Sequence, residues 1–265
     1  MNITSARHPF GFALWLLAVT ALIYILAPLA VVVASSFGAT RFVAFPPRGF
    51  TLEWYGAALN DTRYVGGFLT SLRIASIVAV ISSVIGVAAA HALTRHSFRG
   101  ARVIEGLFLA PLILPGLVLA VALRLFFSRY PIVTGTERLI VAHLVICVPI
   151  VIRVTIPVLQ RFDRSIEEAA LNLGATPLKA FFLVTLPVVR PGIVAALTIA
   201  FIMSFDEVEM AVFLASPREQ PLTVALYSAV QLAFEPPLTA VSALLIAMTL
   251  TIMVGYQVIS RLRQR

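Results

Sequence analysis

Six runs of this 265-residue chain are long and apolar enough to cross a bilayer, at about 11–36, 68–93, 103–127, 139–159, 191–215 and 236–260. A hydrocarbon core about 30 Å thick takes roughly 20 residues of helix, and lipid offers no water to a bare backbone, so runs of this length must be helical. The chain therefore reads as all-α, a polytopic membrane protein with six transmembrane helices. Composition agrees, with 60% of residues hydrophobic and 12% charged, against about 45–50% and about 25% in soluble domains. The first run follows Arg7 but outlasts a signal-peptide core and meets no small-residue cleavage site, so it is expected to stay as a membrane helix.

The net charge of +8 is spread singly between apolar runs, which speaks for topology control and against a nucleic-acid partner. Arg7, Arg95, Arg99, Arg102, Arg161, Arg164, Lys179, Arg190, Arg261, Arg263 and Arg265 fall on one side of the six spans. Arg41, Arg48, Arg63, Arg129, Arg138 and Arg218 fall on the other, while Arg73, Arg124 and Arg153 lie within spans. The excess of positive charge places both termini in the cytoplasm.

The pieces between spans divide the chain into an N-terminal helix with an outer-face segment (1–66), a core of five helices (67–260) and a basic cytoplasmic tail (261–265). In the outer segment Pro46-Pro47 enforces an extended turn, and Trp54 and Tyr55 suit a membrane interface. Pro28, Pro111, Pro115, Pro149 and Pro157 interrupt helical hydrogen bonding inside or near the ends of spans. Cys147 stands alone in an apolar run, so neither a disulfide nor a metal site is expected; His91 and His143 read as hydrogen-bonded packing residues.

The longest cytoplasmic connection, RFDRSIEEAALNLGATPLKAFFLVTLPVVR (161–190), is too patterned for a passive linker. Ile166, Ala169, Ala170 and Leu173 recur at helical spacing, Gly174 marks a helix end, and Thr176-Pro177 starts a second helix as N-cap and first-turn residue. Pro187 and Pro191 are expected to end that second helix before the next span.

This loop resembles the permease subunits of bacterial binding-protein-dependent ABC importers, whose motif runs EAA, three residues, G, nine residues, I, one residue, LP. Glu168-Ala169-Ala170, Gly174 and Leu186-Pro187 stand at those offsets, with Val184 in place of the isoleucine. The stretches 107–123 (LFLAPLILPGLVLAVAL), 204–207 (SFDE) and 51–55 (TLEWY) are similar to the spermidine/putrescine branch, which also includes relatives for opine-like solutes. The resemblance implies the type I ABC importer permease fold in a bacterial inner membrane, with a coupling loop that docks on an ABC ATPase dimer. Glu167, Glu168, Ala169, Ala170, Gly174, Thr176, Pro177, Leu186 and Pro187 would form that coupling surface.

The implied partners are the ATPase dimer, a second, related but non-identical permease, and a periplasmic or extracellular substrate-binding protein. No G-x-x-x-x-G-K-[ST] phosphate loop occurs here, so ATP and Mg belong to the partner ATPase and this chain is expected to hold no cofactor and catalyse no bond chemistry.

The fifth span carries Asp206, Glu207 and Glu209. A mid-membrane charge costs about 2.5–3.5 kcal/mol on insertion scales, so each needs a partner, water or a function. On one straight helix Asp206 and Glu209 would lie about 60° apart and Glu207 and Glu209 about 160° apart, so the three cannot line one path.

Counting about 1.5 Å per residue from the cytoplasmic start of each span puts Glu209 near the depth of Arg73 and Arg124, either of which could pair with it. Asp206 is the foremost pathway candidate, with Glu207, Ser204, Phe205 and Tyr227 beside it; a carboxylate among aromatic faces would attract an ammonium group. Two other readings compete with the importer: an ion-coupled secondary transporter using Asp206, and a nontransporting membrane scaffold.

Overall fold

Backbone that crosses lipid must close its own hydrogen bonds, and the computed structural model does so with helices throughout. It describes residues 9–96, 98–232 and 235–263, the side chains of 9, 10 and 255–263 excepted. Arg7, Arg265 and the side chains of Arg261 and Arg263, which enter the charge asymmetry and the basic tail, lie outside the described residues. Five described helices are long and apolar enough to cross a membrane, and six if one sharply bent pair counts as a span.

By packing, the chain divides into two units, Met1–Val65 with Ser228–Arg265, and Gly66–Tyr227. In the first, α1 (Pro9–Ser35) and α12 (Pro236–Arg263) pack together, and the short α2 (Glu53–Asn60) joins α12. Most of α1 is exposed, as a helix facing lipid must be. The segment leading into α2 folds back on itself. Trp54 Nε1 donates to the Gly38 carbonyl at 2.7 Å, Ser36 Oγ and Tyr55 Oη lie 2.6 Å apart, and Phe37 packs between Phe50 and Tyr55. Trp54 thus spends its polar atom inside the segment.

The second unit is built around α6 (Thr136–Arg161), whose buried face carries Leu139, Ala142, Cys147, Val151, Thr155 and Leu159. Glycines let its neighbours approach. Gly86 of α3 (Thr62–Arg95) lies against Val151, and Gly192 of α9 (Leu186–Phe205) against Val158, so a Cβ at either glycine would collide. Cys147 is buried, its Sγ 3.6 Å from the Ala200 carbonyl, as a packing residue should be.

The third apolar run is not a straight span. It comprises α4 (Ala101–Leu109), a 3-10 turn (Ala110–Ile113) and α5 (Gly116–Arg129), with a bend of 101° between the two halves. Pro111 and Pro115 remove two backbone donors within five residues, and Leu114 and Pro115 turn extended to connect the halves. A depth for Arg124 counted along one straight helix therefore does not hold.

The fifth run is broken too: α9 stops at Phe205 and a six-residue α10 (Glu209–Leu214) resumes after 206–208. At its other end α9 begins earlier than the prolines imply. Pro187 and Pro191 do not end a helix; α8 (Pro177–Ala180), a π turn (Phe181–Thr185) and α9 run on as one 29-residue span. The wider π turn sits just ahead of Pro187, where it relieves the ring's clash with the preceding turn and absorbs the missing donor.

Candidate functional site

Two places in the Gly66–Tyr227 unit gather the residues singled out by the sequence. The first is the corner at 161–190. Asp163 caps α7 (Arg164–Asn172) by accepting from Ser165 N at 2.9 Å, and that backbone donor holds its carboxyl below the usual carboxylate value. Sequence reasoning passed over Asp163, though an Asp directly ahead of a helical pattern is itself a cap signal.

Gly174 closes α7 with φ +90°, the left-handed conformation expected of it. Gly174 N donates to the Leu171 carbonyl and Ala175 N to the Ala170 carbonyl, both at 3.0 Å, the paired bonds of a Schellman ending. Thr176 then caps α8 by accepting from Lys179 N at 3.4 Å, with Pro177 in the first helical position.

The corner presents Leu173 and Leu178, 90% and 71% exposed, at its tip. Glu168 stays at the surface with Arg164, 3.3 Å away. Glu167, one residue earlier, turns the opposite way onto α3. Its Oε2 lies 3.0 Å from Arg95 Nε and its Oε1 3.7 Å from His91 Nε2. Leu186 and Pro187 sit beyond the π turn at the start of α9, away from the tip.

The second place is the break at 206–208. It divides the three acids by the helix ends they occupy, so angles drawn on one straight helix no longer apply. Asp206 is the exposed C-cap of α9, where carbonyl ends offer its negative charge no compensation. Glu207 is half-buried and folds back to accept from Met210 N at 3.0 Å, capping α10, while its own carbonyl accepts from Thr223 Oγ1 at 3.1 Å. Two backbone groups at the break, Met210 N and the Glu207 carbonyl, are thus met by side chains.

Glu209 lies in the first turn of α10, and its carboxylate rests against Gly116 at the N-terminus of α5. Two helix N-termini favour its charge. The expected pairing with an arginine is not formed. Arg73 meets Glu219 at 3.0 Å, and Arg124 donates to the Phe213 carbonyl at 2.7 Å. Glu219 also accepts from Thr136 Oγ1, and these two contacts hold its carboxyl below the ordinary range.

Ser204 is buried, and its hydroxyl lies 2.8 Å from His143 Nδ1 on α6. Phe205 stacks on Phe201 and receives the edge of Phe68 from α3, each pair at 5.9 Å. Tyr227 is 43% exposed on α11 (Leu222–Leu232). His143, Thr223, Gly116 and Phe68 are the supports that sequence reasoning missed as a set, because each acts across a long stretch of chain. Among the described residues no group of His, Cys, Asp and Glu has the arrangement of a metal site.

Residues 82–265 match the family described as the binding-protein-dependent transport system inner membrane component. The putrescine transport system permease protein PotI of Escherichia coli (strain K12) is 32% identical over 252 residues, covering 92% of this chain and 88% of that one. The spermidine/putrescine transport system permease protein PotC is 29% identical in the same strain and 28% identical in Haemophilus influenzae, each over 90% of this chain and at least 90% of the relative.

Among solved structures, a bacterial ABC transporter involved in import of the acidic polysaccharide alginate aligns with a TM-score of 0.74 at 18% identity over 98% of both chains. The MetNI methionine ABC transporter, in an inward-facing form, aligns with a TM-score of 0.61 at 23% identity over 75% of this chain and 94% of that one. At these identities the two structures speak for the fold.

Proposed function

The chain belongs to the binding-protein-dependent transport system inner membrane components, and we propose that it moves a polyamine or a related amine-bearing solute inward through an ATP-driven importer. As an ABC importer permease of the inner membrane it spans the bilayer several times and is not itself catalytic. Membership replaces the ion-coupled and scaffold readings. It also implies an ATPase, which handles ATP, and a substrate-binding protein as partners.

The finer assembly is our reading. The exposed corner at Gly174 docks on the ATPase dimer from the cytoplasm, the side on which both termini lie by arginine distribution. A second permease, related but non-identical, completes the pore in this reading. Opening and closing of the ATPases drives alternating access, and this chain supplies leverage and binding surface.

The observation that carries the substrate reading is the division of the acids. Glu207 is committed to capping and Glu209 rests over helix N-termini, which leaves Asp206 with an exposed carboxylate at a helix C-terminus beside Phe205. Among the described residues Asp206 makes no ion pair, and such a carboxylate at a break in a membrane helix favours a cation, since an ammonium group can hydrogen-bond to it while facing an aromatic ring. The names of the relatives point to the same solute class.

Asp206→Asn tests this directly, because the amide keeps size and hydrogen bonding while removing charge. Uptake of a cationic amine by the reconstituted complex should fall about tenfold with assembly unchanged. Uptake at the wild-type rate would remove Asp206 from the path.

A further inference from the structure

Glu167 stands one position before the EAA triplet, on a helix whose neighbouring acid, Glu168, is exposed. Its own side chain is 13% exposed and points at the end of α3. Arg95 is 9% exposed there, with Nε 3.0 Å from Glu167 Oε2 and its guanidinium 5.4 Å from the ring centroid of Phe162, the residue just before the α7 cap. His91, one turn back along α3, has Nε2 3.7 Å from Glu167 Oε1 and its ring 4.7 Å from Phe181, the first residue of the π turn. Chain entering the corner, the corner helix itself and the turn leaving it are thus all tied to two side chains of one helix.

The same helix reaches the other site. Phe68 of α3 meets Phe205, the neighbour of Asp206, at 5.9 Å. Ser71 Oγ accepts from Leu222 N at 2.9 Å, and Arg73 pairs with Glu219. From Phe68 to Arg95 the helix covers about 40 Å at its ordinary rise. It carries no proline and runs unbroken from Thr62 to Arg95.

We propose that Glu167 and Arg95 form the joint through which the corner moves α3, and that α3 carries this movement to the break at Asp206. His91 steadies the second oxygen of the same carboxylate. The joint has slack: Arg95 Nε and Nη2, His91 Nε2 and Glu167 Oε2 are buried and close, yet none makes an aligned hydrogen bond. A buried charge pair without aligned bonds is costly, and a small rotation of α7 that aligned them would reduce that cost. Such an element, with two arrangements that the corner and the break both bias, is what coupling requires. Glu167 is a positioning residue in this account, distinct from the docking surface made by Leu173, Leu178 and Glu168.

This inference rests on the corner being the ATPase docking point, so the test separates the two. The complex with its ATPase and binding protein is reconstituted in proteoliposomes, and solute moved per ATP hydrolysed is measured beside co-purification of the ATPase. Glu167→Gln should keep the ATPase bound and its basal hydrolysis intact while transport per ATP falls about tenfold. The charge swap Glu167→Arg with Arg95→Glu should recover a large part of that ratio, which shows that the two side chains act together, while unchanged ATPase retention and basal hydrolysis separate a coupling role from a structural one.

A wild-type ratio in Glu167→Gln, or a swap no better than the single changes, overturns the joint. If Glu167→Gln fails to assemble, the swap decides: restored assembly and ratio support the joint, and no restoration overturns it. Leu173→Asp with Leu178→Asp should release the ATPase. If the ATPase stays bound in that variant and transport is unchanged, the docking reading fails, whatever Glu167 does.

Discussion

The corner at 161–190 and the break at 206–208 both interrupt helices, but by opposite means. The corner closes itself with neighbours: Asp163 bonds two residues on, Gly174 and Ala175 bond back into α7, and Thr176 caps the next turn. The break has one local side-chain bond, from Met210 N to Glu207, and is otherwise held from afar, by Thr223 on the Glu207 carbonyl, His143 on Ser204, Gly116 under Glu209 and Phe68 on Phe205. A corner assembled from local bonds can swing as one piece. A break held from several helices responds when any of them moves, and that suits a gate.

The sharpest way to break the contrast is to spoil the corner locally. Gly174→Val puts a β-branched residue at φ +90°, a strain of about 1–3 kcal/mol that falls on the exposed tip of the corner. Uptake should drop about tenfold, with ATP hydrolysis no longer following solute supply. Unchanged uptake with unchanged coupling would sink the lever role of the corner.

A smaller effect is expected from spoiling one distant support of the break. A Cβ at Gly116 would strike the Glu209 carboxylate, so Gly116→Ala should cost about 1–3 kcal/mol of thermal stability through overpacking. Adding Glu209→Ala should return most of it, since the two changes share one contact. No recovery in the double variant would mean that the Glu209 carboxylate does not sit there.

The smallest effect concerns the exposed Glu219 latch, which ties the loop after α10 to α3 and α6. The folded pKa of Glu219 lies below the ordinary value of 4.5, first through Thr136 and then through Arg73. Its stabilisation is therefore complete above that ordinary value and is lost as pH falls through the lower folded one. The stability gap between wild type and Glu219→Gln should be constant near neutral pH and close in acid, and it should shrink with salt because the group is solvated. A gap that widens in acid would contradict the assignment.

This contrast also explains what the sequence made legible. Gly174, Thr176 and Pro177 have conformational roles that a local pattern reveals, so the two-helix corner could be drawn from spacing alone. Six apolar runs of the right length set the class and placed the first, second, fourth and sixth spans, while the third is a bent pair and the fifth span runs from Pro177 to Phe205. What escaped was non-local or depended on rivals: the 101° turn after Ile113, the π turn that let the chain pass Pro187, and the arginines that Glu219 and the Phe213 carbonyl claimed ahead of Glu209.

A straight-helix projection of Asp206, Glu207 and Glu209 failed for the same reason. The helix on which the angles were drawn stops at Phe205 and resumes only at Glu209. Glu167 and Glu168 are likewise equivalent in sequence, and only packing against Arg95 and His91 sets one apart.

The most direct measurement is ATP hydrolysis by the reconstituted importer, with its own binding protein, against a panel of putrescine, spermidine, an uncharged analogue and an acidic solute. The account predicts stimulation by an amine-bearing cation, and loss of net transport of that same solute in Asp206→Asn. Stimulation by the uncharged or the acidic solute alone would contradict it.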